Sequence, residues 1–316
     1  MPLRTVIVER RSRYENDRTW CFWRMAHHPF ESLVSQSWDR MRLRTAECEV
    51  VADCGATPYQ MLPSDAFYRN AVDRITAAPD VDLMLGTRVH GEPVAIPGGW
   101  AVETGEGVLR TRRIISRPPT HLRADDAVLW QSFVGEEVEC EVPVFDPGLI
   151  ELMDFSECSA DGIAFTYVLP VSETRALVEF TVFGPTPLSA PQLAASQRAA
   201  IARITRGAAT RTLRQERGIL PMGLNTSPTA RESGYSYAGL MSGAARPSTG
   251  YAFQRIQRWA AGEAAALTAV AEVKDTRPTP STSGPWTGSF CMSCGSIRSA
   301  VRSSSWRCSA AWRPRV

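Results

Sequence analysis

Glu179 stands in a stretch that otherwise has little use for charge: Ala164-Phe-Thr-Tyr-Val-Leu-Pro-Val-Ser-Glu-Thr-Arg-Ala-Leu-Val-Glu-Phe-Thr-Val-Phe-Gly184. Two runs rich in β-branched and aromatic residues flank a polar turn, Ser172-Glu173-Thr174-Arg175, and this pattern predicts an antiparallel hairpin. In the second run Leu177, Glu179, Thr181 and Phe183 share one face, and Val178, Phe180 and Val182 share the other. Both faces are mostly apolar, so the strand is expected to be covered on both sides. A carboxyl there must be paired, kept protonated or used. A protonated carboxyl in an apolar setting is a proton donor; the alternative is a glutamate satisfied by one of the chain's many arginines.

A second region with chemical potential is the loop Gly243-Ala-Ala-Arg-Pro-Ser-Thr-Gly250, which leads into a helix expected from about Tyr251 to Val273. Small residues let backbone N–H groups approach an anion, and a helix N-terminus adds its positive end. The alternative is a plain turn with Thr249 as cap. At the other end of the chain, Thr5-Val-Ile-Val-Glu9 predicts a short strand ending in an acid. In dinucleotide-binding folds an acid so placed accepts hydrogen bonds from ribose hydroxyls. Only four residues precede that strand, and no GxGxxG occurs in the chain.

The elements that position these residues read as follows. Ser64–Ile75 predicts a helix capped by Ser64 or Asp65, with Phe67, Ala71, Val72 and Ile75 as its apolar stripe. Val81–Val89, Trp100–Thr104 and Val108–Ser116 predict strands between Gly/Pro turns. Val128–Val134, Glu137–Val142, Leu149–Phe155, Ala164–Leu169 and Ala176–Phe183 predict one antiparallel sheet. Pro191–Arg206 follows as a helix, Thr210–Leu220 as a further strand and Tyr237–Gly243 as a short strand into a turn. Asp17-Arg-Thr-Trp-Cys-Phe-Trp23 is dense in aromatics without periodicity.

The chain has 316 residues and a formal net charge of +2, which gives no case for a nucleic-acid partner. Its basic residues are arginines except Lys274. No apolar run reaches the length of a membrane span, and the N-terminus is not a secretory signal. The expected localisation is cytoplasmic, at the periphery of a membrane. Cys21, Cys48, Cys54, Cys140 and Cys158 read as small buried hydrophobes. Cys291 and Cys294 form a CxxC without a second pair, so no metal site is expected. Beyond about Asp275 apolar periodicity ends, yet three of the eight Cys and three of the nine Trp fall in the last stretch. That composition does not suit a disordered tail and reads as a shifted reading frame.

Seven short motifs occur in order: Asp17-Arg-Thr-Trp-Cys-Phe22, Phe145-Asp-Pro147, Leu152-Met-Asp-Phe155, Phe165-Thr-Tyr-Val-Leu-Pro170, Val178-Glu-Phe-Thr181, Glu216-Arg-Gly-Ile-Leu-Pro221 and Pro247-Ser-Thr-Gly-Tyr251. Together, over about Thr5 to Val273, they resemble the lycopene cyclase family of flavoprotein β-cyclases. The resemblance implies a mixed α/β fold, with a discontinuous Rossmann-like FAD-binding domain and an antiparallel-sheet substrate domain. The nucleotide part would take 1–60, 105–125 and 235–275, and the substrate part 126–234. Residues 61–104 would connect them, and 276–316 would form the tail.

The resemblance also implies an isomerase that cyclises the ψ ends of lycopene to β-ionone rings, through γ-carotene to β-carotene. It would require reduced FAD, with NAD(P)H as electron donor, a carotenoid substrate and a membrane surface. By the same resemblance Glu179 is the catalytic acid. Phe180 stands where the family usually carries a second acid. Asp154 is the second catalytic or positioning candidate, with a structural turn acid as its alternative, and Glu216 is the third. Glu9 takes the ribose role. Gly243, Pro247, Ser248, Thr249, Gly250 and Tyr251 form the flavin loop. Arg18, Trp20 and Phe22 are cofactor-side or pocket residues. A hydroxylase or prenyl reductase of the same superfold, or an inactive remnant, is the alternative.

Overall fold

The structure, a computed structural model, describes residues 3–118, 122–156, 162–225 and 234–268. The tail after Asp275, with Cys291 and Cys294, lies outside the described residues. In chain order the elements are β1 (Thr5–Glu9), β2 (Thr19–Trp23), β3 (Gln36–Trp38), β4 (Arg40–Arg44), β5 (Glu49–Asp53), β6 (Tyr59–Pro63) and α1 (Ser64–Thr76). They continue with β7 (Val81–Leu85), β8 (Val89–Ile96), β9 (Gly99–Thr104), β10 (Gly107–Thr111), β11 (Ile114–Ser116), β12 (Ala127–Cys140) and β13 (Leu149–Asp154). β14 (Ile163–Pro170), β15 (Arg175–Gly184), α2 (Ala190–Ile204), β16 (Thr210–Leu224), β17 (Tyr235–Tyr237) and α3 (Phe253–Thr268) complete the set.

A seven-stranded sheet in the order β16-β12-β15-β14-β13-β4-β5 holds the Glu179 hairpin at its middle. β14 and β15 pair antiparallel from Ile163↔Phe183 to Pro170↔Ala176, with the polar turn at the register the sequence predicts. One face is covered by α2. Val138, Val168, Ala176 and Val178 pack with Ile201 and Ile204 there, and Ala164, Phe180 and Val182 pack with Leu193. Ser189 and Gln192 close a capping box at the start of α2. The other face is covered by the three-stranded sheet β2-β6-β3, whose Trp38, Tyr59 and Met61 pack with Ile150, Leu152, Leu169 and Leu177. Glu179 is on this second face, beside Leu177.

Away from this sheet, β1 pairs parallel with β7 and β11 pairs parallel with β17, while β8, β9 and β10 form an antiparallel meander. The parallel pairs are the dinucleotide-fold part of a mixed α/β architecture.

Three local expectations change. Ala127–Cys140 form one continuous strand, β12, rather than two, because Gly135 does not break the ladder to either neighbour. Residues 40–53, assigned by sequence to the nucleotide part, instead form the outer hairpin of the large sheet. Their alternating Arg40, Arg42 and Arg44 opposite Glu49 and Asp53 suit an edge, where charge protects unpaired backbone. Pro63, not Ser64, precedes α1. The buried Ser64 hydroxyl instead accepts from the Arg18 N–H and donates to the Glu15 carbonyl, tying the helix start to the approach to β2.

Candidate active site

Strand alternation brings one group of side chains over the β12–β15–β16 part of the sheet. Glu179 on β15 lies opposite Tyr167 on β14 and Gly135 on β12, and Gly135 in turn lies opposite Glu216 on β16. Cys21 on β2, Tyr59 on β6 and Tyr251 before α3 close the group from above; Tyr59 and Tyr251 join hydroxyls at 3.1 Å. Cys21, Tyr167, Glu179 and Tyr251 pack among core residues, and each is partly rather than fully buried.

Burial pushes the Glu179 carboxyl well above the ordinary glutamate value, and the neighbouring Glu216 carboxyl adds to this. The Thr181 hydroxyl, which donates to Glu179 Oε1 at 2.9 Å, and Arg214 oppose it without reversing it. From the α2 side, buried Gln197 accepts from the Phe180 N–H and donates to the Val178 carbonyl, each at 2.9 Å. It thereby fixes the backbone on both sides of Glu179. Burial also raises the phenols of Tyr59 and Tyr167, and takes that of Tyr251 to about 12, so all three are neutral donors at pH 7.

Glu216 is paired on the same face through its Oε2. Arg214 Nη1 is 2.6 Å from its Oε2 and the Thr19 hydroxyl donates to that oxygen at 2.9 Å. Arg214 also reaches Glu137 Oε2 at 3.2 Å and the Thr19 hydroxyl at 2.8 Å.

Asp154 is not part of this group. The pairing of β13 shifts register between Glu151 and Met153, which inserts one residue and turns Asp154 to the α2 face. There Arg203 Nη1 is 2.7 Å from Asp154 Oδ2, and Ser156 donates through both N–H and hydroxyl to Oδ1. Burial by itself would raise this carboxyl, but the Ser156 hydrogen bonds and the Arg203 guanidinium outweigh it and hold it below the usual aspartate range. This is the geometry of a structural ion pair, the alternative reading of Asp154.

The same parity sorts β2. Trp20 and Phe22 face away from the site and stack on Phe253 at 5.2 Å each, in a core with Phe30, Leu62 and Phe67. They form the aromatic packing under α3 rather than a pocket wall. Arg18 is exposed and pairs with Asp17 at 3.1 Å. The residues of β2 that do face the site, Thr19 and Cys21, were not singled out by sequence; alternation through Thr19 and Cys21 was the available signal.

Glu9 ends β1 and accepts from the Arg11 N–H at 2.9 Å and from its guanidinium at 3.1 Å. Burial would raise it, yet Arg11 holds it below the usual range. Arg11 stacks over Tyr14 and Tyr68, and a cavity of about 230 Å³ lined by Arg11, Ser12, Arg13, Glu15 and Asp17 opens beside it.

In the 243–251 loop, Gly243 and Gly250 adopt φ of +88° and +71°, which glycine alone takes freely. The loop is pinned to the large sheet. A Cβ on Gly250 would fall 2.4 Å from Gln131 Oε1, and one on Gly223 would fall 3.0 Å from the Pro247 ring. Ser248 is exposed, and the N–H groups of Thr249 and Gly250 both turn back to the Arg246 carbonyl. Thr249 does not cap α3, which starts at Phe253. Of this loop, Tyr251 is the residue that joins the Glu179 group.

The architecture recurs in solved flavoenzyme-type structures. A geranylgeranyl bacteriochlorophyll reductase-like protein from Thermoplasma acidophilum superposes with a TM-score of 0.58 over 87% of this chain and 74% of its own, at 13% identity. PqsL of Pseudomonas aeruginosa, described as a probable FAD-dependent monooxygenase, gives 0.56 over 85% and 81%, at 14% identity. The p-nitrophenol 4-monooxygenase PnpA from Pseudomonas putida DLL-E4 gives 0.59 over 84% and 74%, also at 14% identity. These likenesses define a mixed α/β, Rossmann-like fold class.

Within that class the chain belongs to the lycopene cyclase family, whose profile, described as "Lycopene cyclase protein", matches residues 2–311. A lycopene beta-cyclase from Paracoccus sp. (strain N81106 / MBIC 01143) is 33% identical over 177 residues. That alignment spans 54% of this chain and 42% of the relative's length. No helix among the described residues is long and apolar enough to cross a membrane.

Proposed function

We propose that the chain carries the acid-catalysed ring-closing site of a lycopene β-cyclase. The observation that carries this reading is a glutamic acid set inside the fold, its carboxyl raised above the ordinary value by burial, on a face with Tyr167, Phe165 and Phe183. In the proposed reaction the Glu179 O–H gives its proton to the terminal alkene of a ψ end, leaving a tertiary cation. The neighbouring double bond attacks that cation and closes the ring, and loss of one ring proton sets the β double bond. One proton enters and one leaves, so the reaction is an isomerisation without net redox change. A general acid of this kind needs a raised pKa and a site closed to water, which would otherwise capture the cation. Aromatic faces can stabilise the cation while it lasts.

In this reading the Glu9 carboxylate, at the end of a parallel strand, and the 243–251 loop are the residues that would hold an FAD. Reduced flavin, with NAD(P)H as its electron donor, would supply an electron-rich ring system that disperses positive charge. The substrate is a long hydrocarbon, so the proposed place of work is a membrane surface in the cytoplasm.

Expression in lycopene-accumulating cells, with pigments separated by chromatography, tests the reading. The chain is expected to yield γ- and β-carotene, and Glu179→Gln to lower that yield by about 100-fold or more. Unchanged lycopene from the chain, or undiminished β-carotene from the variant, overturns it.

A further inference from the structure

We propose that Glu216 is the positioning residue that keeps the reactive proton on Glu179: held by Arg214 and Thr19, it converges on the Glu179 side chain over the bare backbone of Gly135. The role rests on the cyclase reading of Glu179 for its purpose, but not for its physics.

β12 lies between β15 and β16, so the two glutamates sit two strand spacings apart, roughly 9.5 Å across the sheet. A side chain on the intervening strand would ordinarily keep them separate. Residue 135 is opposite both acids and is glycine. A Cβ there would lie 3.2 Å from Glu216 Cγ and 3.4 Å from Glu179 Cβ, so both side chains lean into the space it leaves.

Two carboxyls that converge on one buried site favour sharing one proton, because two like charges close together are costly. Arg214 decides which one keeps it. Its guanidinium is taken up by Glu216, Glu137 and Thr19, and donates no hydrogen bond to Glu179. The cation therefore stabilises charge on Glu216 and leaves the proton on Glu179. The other groups facing Glu179 do not compete: Thr181 on its own strand, Tyr167 on β14, Cys21 on β2, Tyr59 on β6 and Tyr251 are uncharged at neutral pH.

Infrared titration of the purified chain tests this directly, without substrate or cofactor. Wild type is expected to show a protonated-carboxyl stretch that persists at pH 7 and is missing from Glu179→Gln. Glu216→Gln removes the like charge and leaves Arg214 facing Glu179. The midpoint of that band should then fall by about 1–3 pH units. Gly135→Ala, which wedges a methyl between the acids, should shift it the same way by less. Glu216→Asp, which keeps the charge, should restore part of the upward shift. An unchanged midpoint in folded Glu216→Gln overturns the proposal; if that variant does not fold, an unchanged midpoint in Gly135→Ala does so. The cyclase reading fails separately, by undiminished β-carotene from Glu179→Gln, and that result leaves the midpoint shift standing.

Discussion

Asp154 and Glu179 lie on opposite faces of the large sheet, and the two are treated in opposite ways. Asp154, on the α2 face, is given a guanidinium and two donors from Ser156, and is held as an anion. Glu179, on the face under β2 and β6, has an arginine within its group, but that arginine is engaged by other partners and the acid is held neutral. Burial is common to both sites. What differs is where the nearest cation spends its hydrogen bonds. A buried carboxyl therefore says little about chemistry until its partners are counted, and Asp154 is the internal control that gives Glu179 its meaning.

Breaking the charged half should have the larger effect on stability. Asp154→Ala leaves Arg203 facing a buried gap. Removing one partner of a buried pair costs about 3–5 kcal/mol, and because Arg203 is one-third exposed the expected loss is about 2–3 kcal/mol. Chemical denaturation measures this, while the Glu179 infrared band should stay where it is in wild type. Movement of that band would mean the two faces are not independent.

The pH dependence of stability should separate the two acids by sign. Asp154 is lowered from 3.8 in the folded chain, so its contribution is full above that value and is lost as pH falls through the folded value. Glu179 is raised from 4.5, so its contribution is full below that value and is lost as pH climbs toward the folded one. The deficit of Asp154→Asn against wild type should thus shrink in acid. Glu179→Gln should gain on wild type as pH rises above 4.5. Urea melts across that range would show the two differences running the same way if the contrast is wrong.

The smallest expected change comes from sharpening the neutral half. Thr181→Val deletes the hydroxyl that favours the Glu179 anion. The band midpoint should rise by a fraction of a pH unit, opposite in direction to Glu216→Gln. A fall would show that the hydroxyl serves the protonated form.

Much of this contrast was legible before any coordinates. The apolar alternation around Glu179 put it on a covered strand, and its face partners Leu177 and Thr181 followed from period two. The aromatics of β2 misled, because Trp20 and Phe22 are conspicuous in type while the site-facing positions are the plain Thr19 and Cys21. Asp154 misled for another reason: one extra residue in β13 reverses its face, and no local pattern announces a bulge. Arg214 and Glu216, two apart on one strand, offered a readable signal of a paired acid that the prominence of Glu179 obscured.

By itself the sequence determined the mixed α/β class, the hairpin and the family, because these depend on local periodicity and on motif order along the chain. Only the tertiary structure decided that Gly135 brings Glu216 to Glu179, that Arg214 is spent elsewhere and that Asp154 faces α2. Those outcomes depend on which strands become neighbours and in what register. The charge state of such an acid is set by its burial and by groups brought to it through the fold, here Glu216 and Arg214 on β16, far from it in sequence.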